Sequence, residues 1–254
     1  MKSEKVEFSN QKYLNDTERL QPFKLKMLDL ISVKTPSRIL DIGCGTGIIS
    51  GMLKEQGWNV VGLDISFEGM KKYNRAGLMG LISNIEYALP FKSSVFDAIW
   101  MSEVIEHIVH YKILLREIKR VLKPKGRLYL TTPNSVFFGY RIMYLIGKCP
   151  TQLQHPYHVR FFSPKYLRQI LETNGFSVEK YLGQNIYMLI PNRLISIITQ
   201  LDSGLGKKFI KLIESIGFKK VEGLIHGEKY LLYNFSSFFS NFFSNDIMIV
   251  ACVD

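Results

Sequence analysis

A glycine-rich turn is the first candidate for chemistry. Gly43, Gly45 and Gly47 alternate behind an acid, Asp41, between two apolar runs. Glycines let the backbone turn tightly and approach a ligand closely. The turn lacks the Lys of a phosphate-binding P-loop and the third glycine position of a dinucleotide fingerprint. Because the loop contains no basic residue and begins at an acid, it favours a cationic ligand over a pyrophosphate.

A second acid, Asp64, ends the next apolar run, "WNVVGLDIS". In nucleotide-binding α/β domains, a carboxylate about 20 residues after the glycine turn accepts hydrogen bonds from ribose hydroxyls. The spacing from the glycine turn to Asp64 therefore predicts a nucleoside ligand.

Two carboxylates and an imidazole lie close together in "SEVIEHI", which contains Glu103, Glu106 and His107. If this segment is helical, the three side chains share one face. Carboxylate and imidazole groups together can hold a divalent metal. The alternative is a structural element beneath the ligand that holds no metal. His107 is also a candidate base or substrate-orienting group.

A further imidazole cluster, "QLQHPYHVRFFSP", contains His155, Tyr157, His158 and Arg160. His158 is a candidate catalytic base, and its alternative role is to anchor the loop by hydrogen bonding. Arg160 either binds an anionic substrate or pairs with a local acid.

Strand-like and helix-like segments alternate five times between residues 38 and 134. This alternation predicts a doubly wound α/β fold with a mostly parallel sheet and helices on both faces. Ligands bind beyond the carboxyl ends of such strands. The topology therefore places Gly43–Gly47, Asp64, Glu86 and Ser102–His107 around one crevice.

Composition narrows the class of protein. The chain has 254 residues, 46% of them hydrophobic, and a net charge of +11. Much of the basic charge falls in residues 112–127, where apolar residues recur at helical spacing. We interpret this as the solvated face of an amphipathic helix rather than as a site for an acidic partner. The N-terminal sequence lacks the apolar core of a signal peptide, so we expect a cytoplasmic protein.

Four segments together resemble the successive motifs of class I S-adenosylmethionine-dependent methyltransferases. They are "ILDIGCGTG", "VVGLDIS", "ALPFKSSVFDAIWMSEVIEHI" and "EIKRVLKPKGRLYLTTPN". The resemblance runs from about Arg38 to Asn134 in the right order and continues more weakly through "HVRFFSPKYLRQILETNGFSVEK". It implies a seven-stranded sheet whose last strand, residues 246–253, is antiparallel.

The resemblance also implies S-adenosylmethionine as the cofactor. By position, the resemblance implies that the glycines lie under its methionine and ribose and that Asp41 meets the methionine ammonium, directly or through water. It also implies that Asp64 binds the ribose and that Asn84 or Glu86 meets the adenine amino group. The predicted cofactor-binding residues are Asp41, Gly43, Cys44, Gly45, Gly47, Asp64, Ile65, Glu86 and Ser102, and the predicted catalytic residues are His107 and His158.

Two branches of the class show more local similarities. The Glu-x-x-Glu-His element is similar to one that holds a metal beside the catechol substrate in ubiquinone-biosynthesis O-methyltransferases. That likeness makes Glu103, Glu106 and His107 the candidate metal ligands. "TTPNSVFFGYRIMYLIGKCP" resembles a segment of the MetW proteins, through Pro133, Asn134, Arg141, Gly147 and Pro150. The MetW likeness implies, as an alternative, a non-catalytic or partner-dependent subunit.

We predict three regions: an N-terminal helical segment (1–35), a core (36–183 and 244–254), and an inserted, mostly helical lid (184–243). The lid contains an amphipathic basic stretch at 205–220, which either packs on the domain or faces a membrane or lipid substrate. The expected partner is a small-molecule or lipid-linked acceptor, with peripheral membrane contact through the lid. Nucleic acid is disfavoured, because the Asn/Asp-Pro-Pro-Tyr/Phe signature of amino-group enzymes is missing from the fourth strand's end.

Overall fold

A computed structural model describes residues 2–14, 22–31, 37–183, 187–191, 218–225, 228–235 and 246–253. The strands are β1 (Arg38–Ile42), β2 (Asn59–Asp64), β3 (Met79–Ile82), β4 (Phe96–Ser102), β5 (Leu122–Pro133), β6 (Phe176–Gly183), β7 (Tyr187–Pro191), β8 (Phe218–Ile225), β9 (Glu228–Phe235) and β10 (Asp246–Val253). The helices are α1 (Lys2–Leu14), α2 (Pro22–Leu28), α3 (Ile48–Glu55), α4 (Phe67–Arg75), α5 (Tyr111–Val121), α6 (Phe138–Leu145), α7 (Pro150–Leu153) and α8 (Pro164–Thr173).

Seven strands form one sheet in the order β3-β2-β1-β4-β5-β10-β6. β1 to β5 pair in parallel, and β10 is antiparallel to both β5 and β6. This topology confirms the predicted sheet, including the position and direction of its last strand. In the pairing of β10 with β6, Ile247 lies opposite Gly183.

The central strands are apolar on both sides because helices cover both faces of the sheet. On one face, Leu40 and Ile42 of β1 pack in a core that includes Leu114 of α5 and Leu167 of α8. On the other face, Ile39 packs with residues of α2 and α3, among them Phe23, Met27, Ile49 and Leu53. The covered sheet leaves the carboxyl ends of its strands as the place for a site.

The start of β5 differs from what its residue types suggest. Pro and Gly are typical of the turn after a helix, yet the segment Lys-Pro-Lys-Gly at 123–126 lies within β5. The pairing of β4 with β5 shifts register between Phe96 and Ala98, and Lys125 has a left-handed φ of 62°. A bulge of this kind lets the strand begin early and still pair beyond the irregularity.

The described residues of the predicted lid are strands, so the helical prediction is wrong for them. β7, β9 and β8 form a separate antiparallel sheet in that order. β9 is rich in aromatic and β-compatible residues ("EKYLLYNF"), which favour strands over helices. The predicted amphipathic helix at 205–220 lies outside the described residues, except that 218–220 begin β8. The role of this region as a lid stays a prediction.

Within residues 1–35, the described residues form α1 and α2. None of the described helices has both the length and the apolar character needed to cross a membrane.

Candidate active site

The glycine turn follows β1 and has the backbone conformation that its sequence predicts. Gly43, Gly45 and Gly47 have φ values of +75°, +56° and +92°, a region that side chains rarely adopt. Gly43 N and Cys44 N both donate to Leu63 O, at 2.7 and 3.1 Å, which fixes the turn against the end of β2. A Cβ at Gly43 would collide with the Val104 side chain. The turn therefore requires glycine for its conformation and for space.

Asp64 is buried at the carboxyl end of β2, beside the turn. Its Oδ2 accepts from Gly45 N at 2.9 Å, and its Oδ1 accepts from Ser66 N at 2.8 Å. Two backbone donors thus fix the orientation of this carboxylate. Each oxygen retains a further lone pair, so Asp64 can still accept hydrogen bonds from a ligand.

Asp41 is buried in β1, two residues before Gly43. Its Oδ2 accepts from Ser50 Oγ at 2.6 Å, and Ser50 Oγ accepts from Tyr73 OH at 2.9 Å. Burial raises the pKa of Tyr73, so its hydroxyl remains a donor. These groups form a buried polar chain that links β1, α3 and α4. Asp41 therefore supports the turn from the protein interior. Its predicted contact with a methionine ammonium stays a prediction.

A cavity of about 390 Å³ opens at these strand ends. The predicted residues in its lining are Gly43, Asp64, Ile65, Glu86, Ser102 and His107, accompanied by Asn84 and Glu103. The other predicted residues are described but do not line the cavity: Asp41, Cys44, Gly45, Gly47 and His158. Cys44 is buried, with its Sγ 3.5 Å from Met70 Sδ. The volume lies within the range typical of small-ligand sites.

Sequence reasoning missed the contribution of the N-terminal helices to the cavity. Phe8, Ser9, Lys12 and Tyr13 of α1 line it, as does Lys24 of α2. Phe8 and Lys12 are one helical turn apart, and so are Ser9 and Tyr13, so a single face of α1 forms the wall. The i, i+4 spacing was visible in the sequence, but nothing in it indicated which surface α1 covers.

Glu103 does not share a helical face with Glu106 and His107, so that prediction is wrong. The only helical residues of the segment are the 3₁₀ turn Ile105–His107, and Glu103 has a left-handed φ of 57°. Glu103 N donates to Thr131 O at 3.1 Å, and Thr131 Oγ1 donates to Glu103 Oε1 at 3.1 Å. These two bonds to β5 turn Glu103 away from the direction that a helix would give it.

Glu106 instead forms a cluster with two imidazoles. Its side chain is buried, and its Oε2 accepts from Thr132 Oγ1 at 3.0 Å. Its Oε1 is also buried and has no hydrogen-bond partner among the described residues. That atom lies 3.9 Å from His107 Nε2 and 4.0 Å from His158 Nε2. The structure thus brings together both predicted catalytic residues, although 51 positions of sequence numbering separate them.

The tautomers of the two histidines follow from their other ring nitrogens. His107 Nδ1 lies 3.0 Å from Tyr157 O, and His158 Nδ1 lies 3.3 Å from Gln154 Oε1. A carbonyl oxygen accepts a hydrogen bond, so the proton of each neutral ring belongs on Nδ1. Both Nε2 atoms are then acceptors, and they lie about 4 Å from Glu106 Oε1. A proton or a cation among these three acceptor atoms would stabilise the arrangement.

Burial has opposite effects on the acid and the base of this cluster. It raises the pKa of Glu106 to about 7, against the opposing effect of the Thr132 hydrogen bond. Burial, together with the charges of His107 and His155, lowers the pKa of His158 to about 4. Burial and the neighbouring carboxylates Glu106 and Asp246 also raise the pKa of Glu103. His158 is consequently neutral around pH 7.

Backbone hydrogen bonds hold the loop that carries His158. Val159 N and Arg160 N both donate to Glu106 O, at 2.9 and 3.0 Å. The Arg160 side chain donates to Val109 O at 3.0 Å and lies over the Tyr111 ring. Arg160 therefore anchors the loop. Glu106 organises the cluster twice, through its carbonyl oxygen and through its carboxylate.

The sheet order, the glycine turn and the carboxylate after β2 define the chain as a doubly wound nucleoside-binding domain. It matches the family described as "Methyltransferase domain" over residues 12–181. The chain therefore belongs to the methyltransferase domain family.

Relatives and solved structures agree with this assignment. The chain is 31% identical over 159 residues to the mitochondrial ubiquinone biosynthesis O-methyltransferase of Mus musculus, covering 58% of this chain and 43% of that protein. It is 31% identical over 169 residues to the ubiquinone biosynthesis O-methyltransferase of Xylella fastidiosa strain 9a5c, covering 61% and 68%. The match thus spans less than half of the mouse protein's length.

Among solved structures, an Archaeoglobus fulgidus SAM-dependent methyltransferase has the same fold. Its TM-score is 0.58 at 21% identity, covering 91% of this chain and 92% of that one. A SAM-dependent methyltransferase from Methanosarcina mazei gives a TM-score of 0.55 at 19% identity, covering 93% and 99%.

Proposed function

We propose that this chain transfers the methyl group of S-adenosylmethionine to a hydroxyl group of a small-molecule acceptor. One observation carries the proposal: a single cavity is lined both by Gly43 and Asp64 and by Glu103 and His107. The donor loop and one member of the acid-imidazole cluster, His107, therefore face the same space. The relatives named as O-methyltransferases support an oxygen atom as the acceptor.

The cavity residues fit this donor. Gly43 has no side chain where the backbone must meet the ligand, and Asp64 presents a carboxylate suited to the ribose hydroxyls. Lys12 and Lys24 bring positive charge to a cavity whose glycine turn has none, which suits the carboxylate of the methionine portion. When bound, the donor supplies a methyl group on a positively charged sulfur.

Methyl transfer of this kind is an in-line displacement. The acceptor oxygen forms a bond to the methyl carbon as the bond from carbon to sulfur breaks, and the hydroxyl proton leaves. The donor sulfur becomes a neutral thioether. The chain contributes by holding both molecules in line and by favouring loss of the proton. His107 lines the cavity, and its Nε2 lies 3.9 Å from Glu106 Oε1. We therefore expect His107 to act on the acceptor hydroxyl.

Glu106, His107 and His158 also fit a divalent metal ion. Their ligand atoms all lie within 4.8 Å of one another, and Glu106 Oε1 has no other partner. Each imidazole has its Nδ1 beside a carbonyl oxygen, the usual arrangement of a metal-binding histidine. Two imidazoles and one carboxylate leave coordination positions open for other ligands. Such an ion would supply a Lewis acid that lowers the pKa of a nearby hydroxyl.

Calorimetry with Mn²⁺, Mg²⁺ and Zn²⁺ tests this ligand set against the one that the sequence indicated. We expect His158→Gln to abolish metal binding and Glu103→Gln to retain it, because Glu103 is bonded to Thr131 instead. The reverse result would restore the set Glu103, Glu106 and His107. If the wild-type protein binds none of these ions, the metal proposal is wrong, and the positive charge in the cluster is then a shared proton.

The donor is tested by calorimetry with S-adenosylmethionine, S-adenosylhomocysteine and NAD. Binding of the first two alone supports the proposed function, whereas tight NAD binding would contradict it. Methyl-labelled donor offered with a panel of simple phenols and catechols then tests the acceptor class. Label recovered on oxygen supports it, and label recovered only on nitrogen or carbon would overturn the choice of a hydroxyl.

We also propose that the acceptor is lipid-linked and that the protein touches a membrane surface. The supporting observation is the exposed apolar end of α6, where Leu145 and Ile146 are 87% and 68% exposed. Arg141 and Lys148 lie nearby in the chain and suit anionic headgroups. Co-sedimentation with phosphatidylglycerol vesicles tests this. Leu145→Glu should reduce binding, the exposed control Tyr166→Glu should not, and equal binding by both variants would contradict the surface.

A further inference from the structure

Helix α1 forms one wall of the cavity, yet little apolar packing holds it. Of its described side chains, those of residues 6–14, only Tyr13 is buried. By contrast, α5 buries five side chains against the sheet. Elements with few buried apolar contacts open at low free-energy cost, before the rest of the domain unfolds. α1 is therefore the part of the wall best suited to move.

Asn10 holds α1 against the start of α4 through hydrogen bonds. Its Oδ1 accepts from Ser66 Oγ at 2.8 Å and from Glu68 N at 3.3 Å. Ser66 Oγ in turn accepts from Gly69 N at 3.0 Å and so caps α4. The first turn of α4 thus receives one cap from Ser66, its own N-cap residue, and another from Asn10 of α1. Docking of α1 satisfies the backbone N–H of Glu68, which would otherwise need water.

This fastening reaches the proposed ribose carboxylate in two steps. Asn10 holds the hydroxyl of Ser66, and the backbone N–H of Ser66 donates to Asp64 Oδ1. Tyr13 adds packing here, because it lies against Gly69 next to the carbonyl of Gly45. The position of α1 and the orientation of Asp64 are consequently linked through Ser66.

The other side of α1 reaches the imidazole cluster. The Phe8 ring lies 4.2 Å from that of Tyr157 and 5.0 Å from that of His155, measured between centroids. The carbonyl of Tyr157 is the group that fixes His107 Nδ1. Helix α1 therefore contacts both the start of α4, next to the donor turn, and the loop that carries His158.

We propose that α1 is a gate over the bound donor and that Asn10 is its latch. The gate opens to admit S-adenosylmethionine and to release S-adenosylhomocysteine, and it closes when Asn10 binds Ser66 and Glu68. This inference rests on the proposed function, since it assumes that the donor occupies the cavity. Asn10 acts through Ser66 and is a positioning residue rather than a catalytic one.

The test measures the dissociation rate of S-adenosylhomocysteine by stopped flow in the full chain. Asn10→Ala should raise this rate by about tenfold, since it removes two hydrogen bonds from the closed state. Asn10→Asp keeps both acceptor positions and should release the ligand no faster than wild type does. Gln11→Ala changes the exposed side of the same helix, where Gln11 donates to Glu7, and should leave the rate unchanged.

Hydrogen exchange of the α1 amides gives a second readout that does not depend on turnover. Bound S-adenosylhomocysteine should slow this exchange in the wild type and much less in Asn10→Ala. Phe8→Ala, which leaves Asn10 in place, provides a second variant and should also speed release. Wild-type release rates in both variants would overturn the gate while leaving the proposed function intact. Failure of the wild-type protein to bind S-adenosylhomocysteine would overturn both.

Discussion

The two parts of the cavity differ in what builds them. The part that we propose for the donor is mainly backbone: three glycines with left-handed φ and the ends of β1 and β2, with one buried side-chain carboxylate held by two N–H groups. The acceptor part consists of side chains from distant positions, with Glu106 and His107 meeting His158. A donor loop that depends on backbone shape tolerates almost no added atoms, whereas a side-chain cluster changes its chemistry one group at a time.

The sharpest test of this difference is a side chain added to the donor loop. Gly43→Val should abolish donor binding in calorimetry, because its Cβ would collide with Val104 and φ is +75°. Gly57→Val is the matched control. Gly57 also has a positive φ, +94°, but a Cβ added there would meet no described atom within 4 Å. It should lose about 1–2 kcal/mol of stability through backbone strain and keep its donor affinity. Equal donor affinity in the two variants would contradict the idea that the donor loop tolerates no added atoms.

A smaller effect is expected from removing the donor carboxylate. Asp64→Ala should weaken donor binding by about 1–3 kcal/mol, the cost of a lost charged hydrogen-bonding group. Asp97 is the matched acid at the opposite end of the sheet, where it accepts from Arg38 N and Lys123 Nζ. Asp97→Ala should change unfolding and leave calorimetric donor affinity unchanged. A similar loss of affinity in both would show that Asp64 acts only through stability.

In metal-free protein, the contribution of the acceptor part to the free energy of unfolding should depend on pH. The pKa of Glu106 is raised to about 7 in the fold, above its value in the unfolded chain. Its contribution to stability is therefore complete below about pH 4.3 and is lost as pH rises through 7. Urea unfolding at pH 5 and pH 8 should differ by on the order of 2 kcal/mol from this group. Glu106→Gln should reduce the difference, and an unchanged difference would contradict the assignment.

The smallest effect concerns the support beneath the donor turn. Tyr73→Phe removes the hydrogen bond from Tyr73 to Ser50, next to Asp41, and should cost about 1 kcal/mol of stability with no change in donor affinity. Denaturation and calorimetry on the same samples separate the two quantities. Weakened donor binding at unchanged stability would instead favour the sequence-based prediction that Asp41 meets the donor directly.

The sequence was sufficient for the features that arise locally. Alternating apolar and amphipathic segments predicted the succession of strands and helices up to β5 and a mostly parallel sheet, and the glycine spacing predicted the turn after β1. The start of α8 is local in the same way, since Ser163 Oγ accepts from Tyr166 N at 3.2 Å. In each case the interactions that decide the structure lie within a few residues or repeat at a fixed period.

The features that sequence reasoning missed depend on distant contacts. Nothing in "SEVIEHI" shows that Thr131 will turn Glu103 aside, because that residue belongs to the neighbouring strand. Nothing near His158 shows that Glu106 will hold its loop. The wall formed by α1 depends on Asn10 meeting the start of α4, 56 positions away in numbering. A pattern of residue types cannot encode such meetings before the topology is known.

β6 ends at Gly183, and the chain returns to the same sheet as β10, where Ile247 pairs with Gly183. The two ends of the intervening segment therefore lie on adjacent strands. Neighbouring strands lie only about 5 Å apart, so the sheet closes the intervening segment as a hairpin would, whatever that segment contains. Doubling the length of such a closed segment costs only about 0.6 kcal/mol of chain entropy. This edge of the sheet can therefore accommodate inserted segments of different length without a change in the register of its strands.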